Sequence, residues 1–100
     1  MIWVNSFEEL CEFLATIIIF APDSFPNEDY LPDEKQLNLM KAYDELFLGL
    51  KFISEKVEDD SVVKLTKQYL EDSKRLYEEG NESKATKTIQ ELREILRKYR

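Results

Sequence analysis

Leu76-Tyr77-Glu78-Glu79-Gly80-Asn81-Glu82-Ser83-Lys84-Ala85 reads as the turn of an antiparallel helical hairpin, and the rest of the fold is built outward from it. Gly80 fits the left-handed residue that closes a helix, because it has no Cβ to clash in that conformation. Asn81 then stands where the next helix needs a cap. Upstream, Val62, Leu65, Tyr69, Ser73 and Leu76 form one stripe at helical spacing, with Val63, Leu70 and Tyr77 beside it. Downstream, Ala85, Ile89, Leu92, Leu96 and Tyr99 give a second buried face, with Ile95 alongside. Either Asp60 or Ser61 serves as cap for the upstream helix, at the end of the acidic turn Glu58-Asp59-Asp60-Ser61.

Two more helices precede the hairpin. Asp33 with Gln36 has capping-box spacing, and Leu37, Met40, Tyr43, Leu46, Phe47, Leu50, Ile53 and Val57 follow at helical period. Drawn straight, that element is about 35 Å long. Gly49 inside it costs about 1 kcal/mol relative to alanine, so it either permits a close helix crossing or marks a bend, with packing the preferred reason. Nearer the start, Ser6 with Glu9 forms another capping box, ahead of Phe7, Leu10, Cys11, Leu14, Ile17 and Ile18. Pro22 ends this helix, since a residue before proline is pushed out of the α region. Ile19 and Phe20 widen its apolar face, which predicts cover on more than one side, and Trp3 and Val4 are expected to fold back onto it. The reading is an all-α, single-domain four-helix bundle over residues 1–100, with helices at 7–20, 33–57, 62–79 and 82–98.

Bulk composition agrees. A chain of 100 residues buries roughly 65% of its unfolded surface, and 43% hydrophobic with 12% aromatic residues is ample for one core. Only two glycines and three prolines interrupt it, which favours long helices. Cys11 is the single cysteine, so an internal disulfide and a cysteine-based zinc site are both excluded. A lone thiol on an apolar stripe reads as a small core residue in a reducing compartment. The hydrophobic run Leu14 to Ala21 is far short of the ~20 residues that span a bilayer, and Glu8, Glu9 and Glu12 stand where a signal peptide would be basic. A cytoplasmic location is expected.

Catalytic chemistry is sparse. With no histidine in the chain, the usual general base, the Ser/His and Cys/His nucleophile pairs and the commonest metal ligand are missing. No glycine-rich phosphate loop exists. The remaining enzyme reading is an all-helical magnesium-dependent nucleotide hydrolase, whose carboxylates come as Glu-x-x-Glu and Glu-x-x-Asp. Glu9 with Glu12, Glu55 with Glu58, Glu79 with Glu82 and Glu91 with Glu94 supply the first spacing, but the second never occurs. Glu9 and Glu12 also face away from Phe7, Leu10 and Leu14, where carboxylates are simply solvated. A carboxylate di-iron bundle fails for want of its Glu-x-x-His pairs. No catalytic residue, metal site or cofactor is expected.

Charge is divided unevenly, and this points to binding. Residues 1–60 carry fourteen acids against four lysines, net −10, whereas residues 61–100 carry seven acids against ten lysines and arginines, net +3. Concentrated like charge destabilises a fold and attracts an opposite field. The basic residues of the hairpin have acids mixed among them, at spacings such as Glu71 with Arg75 and Glu94 with Lys98, which reads as a solvated face and argues against nucleic acid. The acidic half has a more definite focus in the twelve-residue connection from Ala21 to Pro32 and its flank. Asp23, Phe25, Glu28, Asp29, Tyr30, Asp33 and Glu34 set five acids among two rigid aromatic anchors. Such a surface draws a basic protein in through its field and holds it through its rings. Glu55, Glu58, Asp59 and Asp60 form a second acidic group, about 30 Å away if the intervening helix is straight.

Two resemblances follow. The Leu76 to Ala85 turn resembles that of a tetratricopeptide-type pair, but at least about three repeats make a solenoid and no second copy is present. In size and layout the whole chain resembles the small acidic, all-helical immunity proteins of bacterial contact-dependent growth inhibition and other polymorphic toxin systems. The likeness lies in Trp3 near the start, the loop from Phe25-Pro26 to Leu31-Pro32, the run Ala42-Tyr43-Asp44-Glu45-Leu46 to Gly49-Leu50, and Ser73 to Asn81. It implies a non-enzymatic inhibitor that binds one cognate toxin, often a basic nuclease, so that the toxin's active site is blocked or its substrate excluded. From charge and hydropathy, neither nucleic acid nor a membrane is expected as partner. The alternative is a helical adaptor or self-associating regulator in which Val62, Tyr69 and Leu76 meet a partner helix, and a homodimer stays open.

Overall fold

Ser6 starts the first helix as its spacing predicts. In the computed structural model, which describes residues 3–21, 23–25 and 29–100, Ser6 Oγ accepts from the Glu9 amide at 3.1 Å, and the Glu9 carboxylate accepts from the Asn5 amide at 2.8 Å. Helix α1 runs Phe7–Phe20 and buries Phe7, Leu10, Cys11, Phe13, Leu14 and Ile17. It stops where expected, Ala21 taking an extended conformation (ψ 150°) ahead of Pro22. Val4 is fully buried and Trp3 half-buried against the core, so the segment before the cap does fold back. At the far end of α1, where cover on more than one side is expected, Ile18 packs against the core and Phe20 lies against Phe25, while Ile19 stays 68% exposed.

The second helical arm departs from its expected bounds. Asp33–Lys35 forms only a single 3-10 turn, Gln36 is extended (ψ 144°), and helix α2 begins at Leu39 and runs to Leu48. The cap is Asn38, whose Oδ1 accepts from the Lys41 amide at 2.9 Å. Burial of Leu37 draws the chain inward just before Asn38, and the Gln36 side chain is spent on the Leu31 carbonyl at 2.8 Å. A capping box at Asp33 therefore has no helix to start. Met40, placed by its spacing on the buried stripe, is 66% exposed instead.

Gly49 divides the arm into α2 and helix α3, Leu50–Val57. A Cβ there would stand 2.8 Å from Leu10 Cδ1, 2.9 Å from Val4 Cγ1 and 3.2 Å from the Glu45 carbonyl. The glycine thus serves both expected roles at once, a close crossing under α1 and a break. A single straight helix over 33–57 is ruled out, and with it the straight-line spacing of the two acidic groups.

Helix α3 ends on Glu58, which is left-handed (φ 58°, ψ 31°) with its amide on the Ser54 carbonyl at 3.1 Å. An L-residue in that region costs about 1–2 kcal/mol, against about 0.5–1 kcal/mol of extra chain entropy for glycine. Glu58→Gly is accordingly expected to stabilise the fold by a net ~0.5–1 kcal/mol, read as a higher urea midpoint with unchanged slope.

Helix α4, Asp60–Glu78, is capped by Asp59 and not by Asp60 or Ser61. Ser61 donates instead, through its amide at 2.9 Å and its hydroxyl at 2.7 Å, to Asp59 Oδ1, and these bonds hold the Asp59 carboxyl below its ordinary range. The buried face of α4 is Val62, Thr66, Leu70, Ser73 and Tyr77, rotated from the expected stripe so that Leu65 is 41% exposed. Thr66 is tolerated inside because its hydroxyl donates to the Val62 carbonyl at 2.8 Å.

The hairpin turn forms as read. Gly80 is left-handed (φ 82°), and the Asn81 amide returns to the Leu76 carbonyl at 2.8 Å. Asn81 stands at the cap position of helix α5, Glu82–Arg97, without a side-chain bond. Tyr77 and Thr86 hydroxyls meet across the hairpin at 3.0 Å.

The molecule is an all-α four-helix bundle whose second arm is the broken pair α2 and α3. Helix α4 packs most extensively on α5 and also receives α2 and α3, while α1 lies on α5 and touches the broken arm. Among the described residues there is no strand, and no helix is long and apolar enough to cross a membrane.

Candidate functional site

Carboxylates need either a cation or water, and the loop acids have water. Asp23, Asp29, Asp33 and Glu34 are all exposed and in no ion pair, the ion pairs among the described residues being Arg75 with Asp72 at 3.9 Å and Arg97 with Glu94 at 3.4 Å. Those two replace the expected pairs of Glu71 with Arg75 and Glu94 with Lys98. Tyr30 is 73% exposed, an outward aromatic. Phe25 is half-buried, its ring 6.3 Å from that of Phe20, so it covers the end of α1 and offers only part of its surface to solvent. Glu28 lies outside the described residues.

Among the described candidates, Glu34 lines a cleft. This cleft of about 210 Å³ is walled by Trp3, Glu34, Lys35, Lys41, Asp44, Glu45 and Leu48. Its assembly depends on Glu45, which is buried and accepts from the Trp3 amide at 2.8 Å, fixing the segment before α1 against α2. The Trp3 ring then leans on Phe13 with centroids 6.5 Å apart. On the other wall, Lys41 Nζ donates to the Glu34 carbonyl and ties the 3-10 turn to α2. A helix brings residues four apart onto one face, so Met40, Asp44 and Leu48 make an outward row. Met40 and Leu48 are 66% and 60% exposed, on either side of an exposed carboxylate.

Sequence reasoning missed Met40, Asp44 and Leu48 as an outward row and Trp3 as a wall of the cleft. The usable signal was the i, i+4, i+8 spacing of Met40, Asp44 and Leu48, on the side of α2 away from Ala42 and Leu46. The second acidic group sits at the turn between α3 and α4, where Asp59 is occupied as a cap.

Glu45→Ala removes the anchor of the Trp3 amide. The expected cost is about 2 kcal/mol, the scale of a hydrogen bond to a charged group. The single tryptophan reports on it directly, its emission shifting to the red as Trp3 leaves Phe13.

Alternative sites are less developed. Val62 is buried in the core, and Tyr69 and Leu76 are half-buried against it, so the heptad-like row of α4 is largely engaged within the bundle. Among the described residues no three acidic or cysteine side chains converge to hold a metal ion. Cys11 is buried, and burial raises its thiol above the ordinary range, opposed in part by Arg100 and Arg93. Comparison with protein-family models, curated proteins and solved structures returns no match to this chain.

Proposed function

We propose that this chain is a non-enzymatic protein-binding inhibitor, an immunity protein that neutralises a cognate bacterial toxin of basic surface, with a nuclease domain as the leading class. The observation that supports it best is the outward row Met40, Asp44 and Leu48 beside the cleft of Trp3 and Glu34. Two large apolar side chains stand mostly in water there, within the first sixty residues, whose net charge is −10. Apolar anchors within an acidic rim suit a basic partner, whose approach the field accelerates and whose departure the anchors slow. Tyr30, Asp29 and Asp33 extend the surface into the loop. The resemblance to small acidic helical immunity proteins agrees with this reading, as does the scarcity of catalytic groups.

The test is a tagged pull-down from the source lysate at low and moderate salt, followed by assay of the captured protein's activity. One basic protein held one-to-one, inhibited by the native chain and released by Leu48→Asp, is the expected result. Asp29→Lys with Asp33→Lys is expected to slow association about tenfold at low salt, with helical content unchanged. An association rate untouched by both reversals and by Leu48→Asp rejects this surface. A chain that captures only itself supports the adaptor reading in its place.

A further inference from the structure

Arginine is scarce in this chain and is placed with a strong bias. There are four, Arg75, Arg93, Arg97 and Arg100, and three of them line one cleft of about 320 Å³ together with Cys11 and Glu94. Lysine is more than twice as common and lines no part of it. The spacing explains how the cleft forms. Positions 93, 97 and 100 fall on one side of α5 and its continuation, next to the buried row of Leu92 and Leu96, and α1 closes the other side with Cys11 as floor.

Three guanidiniums gathered this way repel one another, and among the described residues only Arg97 of the three is in an ion pair, with Glu94 at 3.4 Å. Cations at a helix end do complement its dipole, but that effect fades within the last turn and Arg93 lies a turn further back. It also does not call for arginine over lysine. Guanidinium differs from ammonium in its planar fork of donors, which matches the oxygens of phosphate and carboxylate in pairs. A single carboxylate would answer one fork. A row of three across about 10 Å of helix matches an anion of higher charge with oxygens on more than one centre.

We propose that the cleft between α1 and α5 binds a compact phosphate-bearing ligand of the diphosphate class, held by Arg93, Arg97 and Arg100. Glu8 and Glu12, exposed on α1 on either side of Cys11, limit the positive field to the cleft and disfavour a long polyanion lying across it. This site is separate from the acidic surface and does not depend on that surface's function.

The four arginines also supply the assay, with Arg75 as internal reference, since it is paired with Asp72 on α4 and lies outside the cleft. Side-chain Nε–Hε resonances are followed by NMR while inorganic pyrophosphate is added at pH 7 and constant ionic strength. Arg93, Arg97 and Arg100 are expected to shift along one saturable curve while Arg75 stays still. Arg93→Gln and Arg100→Gln, both at exposed positions, should each weaken binding at least about tenfold by removing a charge-assisted contact, whereas Arg75→Gln leaves it unchanged. Glu8→Gln with Glu12→Gln should tighten it. Shifts that fail to saturate, that appear equally at Arg75, or that chloride reproduces mean an adventitious ion only and overturn the proposal. Citrate binding as tightly as pyrophosphate overturns the phosphate assignment.

Discussion

Tyr43→Ala is expected to lose about 3–5 kcal/mol, the range for removing a large aromatic from a core. Against a total of about 5–15 kcal/mol for a domain, that brings the bundle close to unfolding. Tyr43 is fully buried, and its hydroxyl lies 2.6 Å from Ser73 Oγ. Ser73 in turn donates to the Leu70 carbonyl at 3.1 Å, which leaves the tyrosine proton directed at Ser73. The pair therefore joins α2 to α4 through one polar link inside an apolar interior. Ser73→Ala strands a buried donor and should cost about 1–3 kcal/mol, while Tyr43→Phe takes the donor away and should cost about 1 kcal/mol. Combined, they should cost clearly less than their sum in urea unfolding. Strict additivity would show that the two hydroxyls are not coupled.

The same burial makes stability depend on pH on the alkaline side. Burial pushes the Tyr43 hydroxyl, and less strongly that of Tyr77, above the ordinary tyrosine pKa. Above pH ~10 the unfolded chain releases these protons and the native one retains them. Stability should be unaffected by these groups at neutral pH and fall as pH rises through 10, and Tyr43→Phe should make that fall shallower.

Gly49→Ala should cost about 3 kcal/mol even though alanine is the better helix former. Its methyl group would meet Leu10 and Val4 at under 3 Å, and both are fully buried with no room to retreat. The Glu45 carbonyl on the third side is backbone and yields least. By the usual scaling of about 4–8 °C per kcal/mol at this size, the melting temperature should drop by more than about 10 °C. A substitution that left it unchanged would show that α1 does not cross at Gly49. Leu10→Ala in the same chain should recover part of the loss if the clash with that side chain is the cause.

What could be read from the sequence was local. The Ser6 cap, the stop before Pro22 and the left-handed Gly80 each depend on a few neighbouring residues, and each formed. The start of α2 was missed because two caps competed, and the outcome turned on whether Leu37 reached the core. The face of α4 was misjudged because hydrophobicity ranks Leu65 above Thr66 for the interior. Thr66 overcomes that ranking by satisfying its hydroxyl on the helix itself, as Ser73, already on the expected stripe, does on the helix and Tyr43. The acids of the loop were visible as a charge pattern. The cleft beside them was not, since it brings Trp3 against Glu45, forty-two positions along the chain, through a partly buried hydrogen bond.

The packing of α1 on α5 has a consequence for the order in which the chain is made. Helix α1 leaves the ribosome well before α5, against which it lies, and Phe20 is separated from Glu82 by the whole of α2, α3 and α4. At about 5–20 residues per second, the apolar side of α1 waits several seconds for its cover, with Ile17, Ile18 and Phe20 open to any other nascent chain. The hairpin of α4 and α5, by contrast, closes on itself within one short stretch of synthesis, so the growing protein holds its most aggregation-prone segment exposed until its most self-sufficient one arrives.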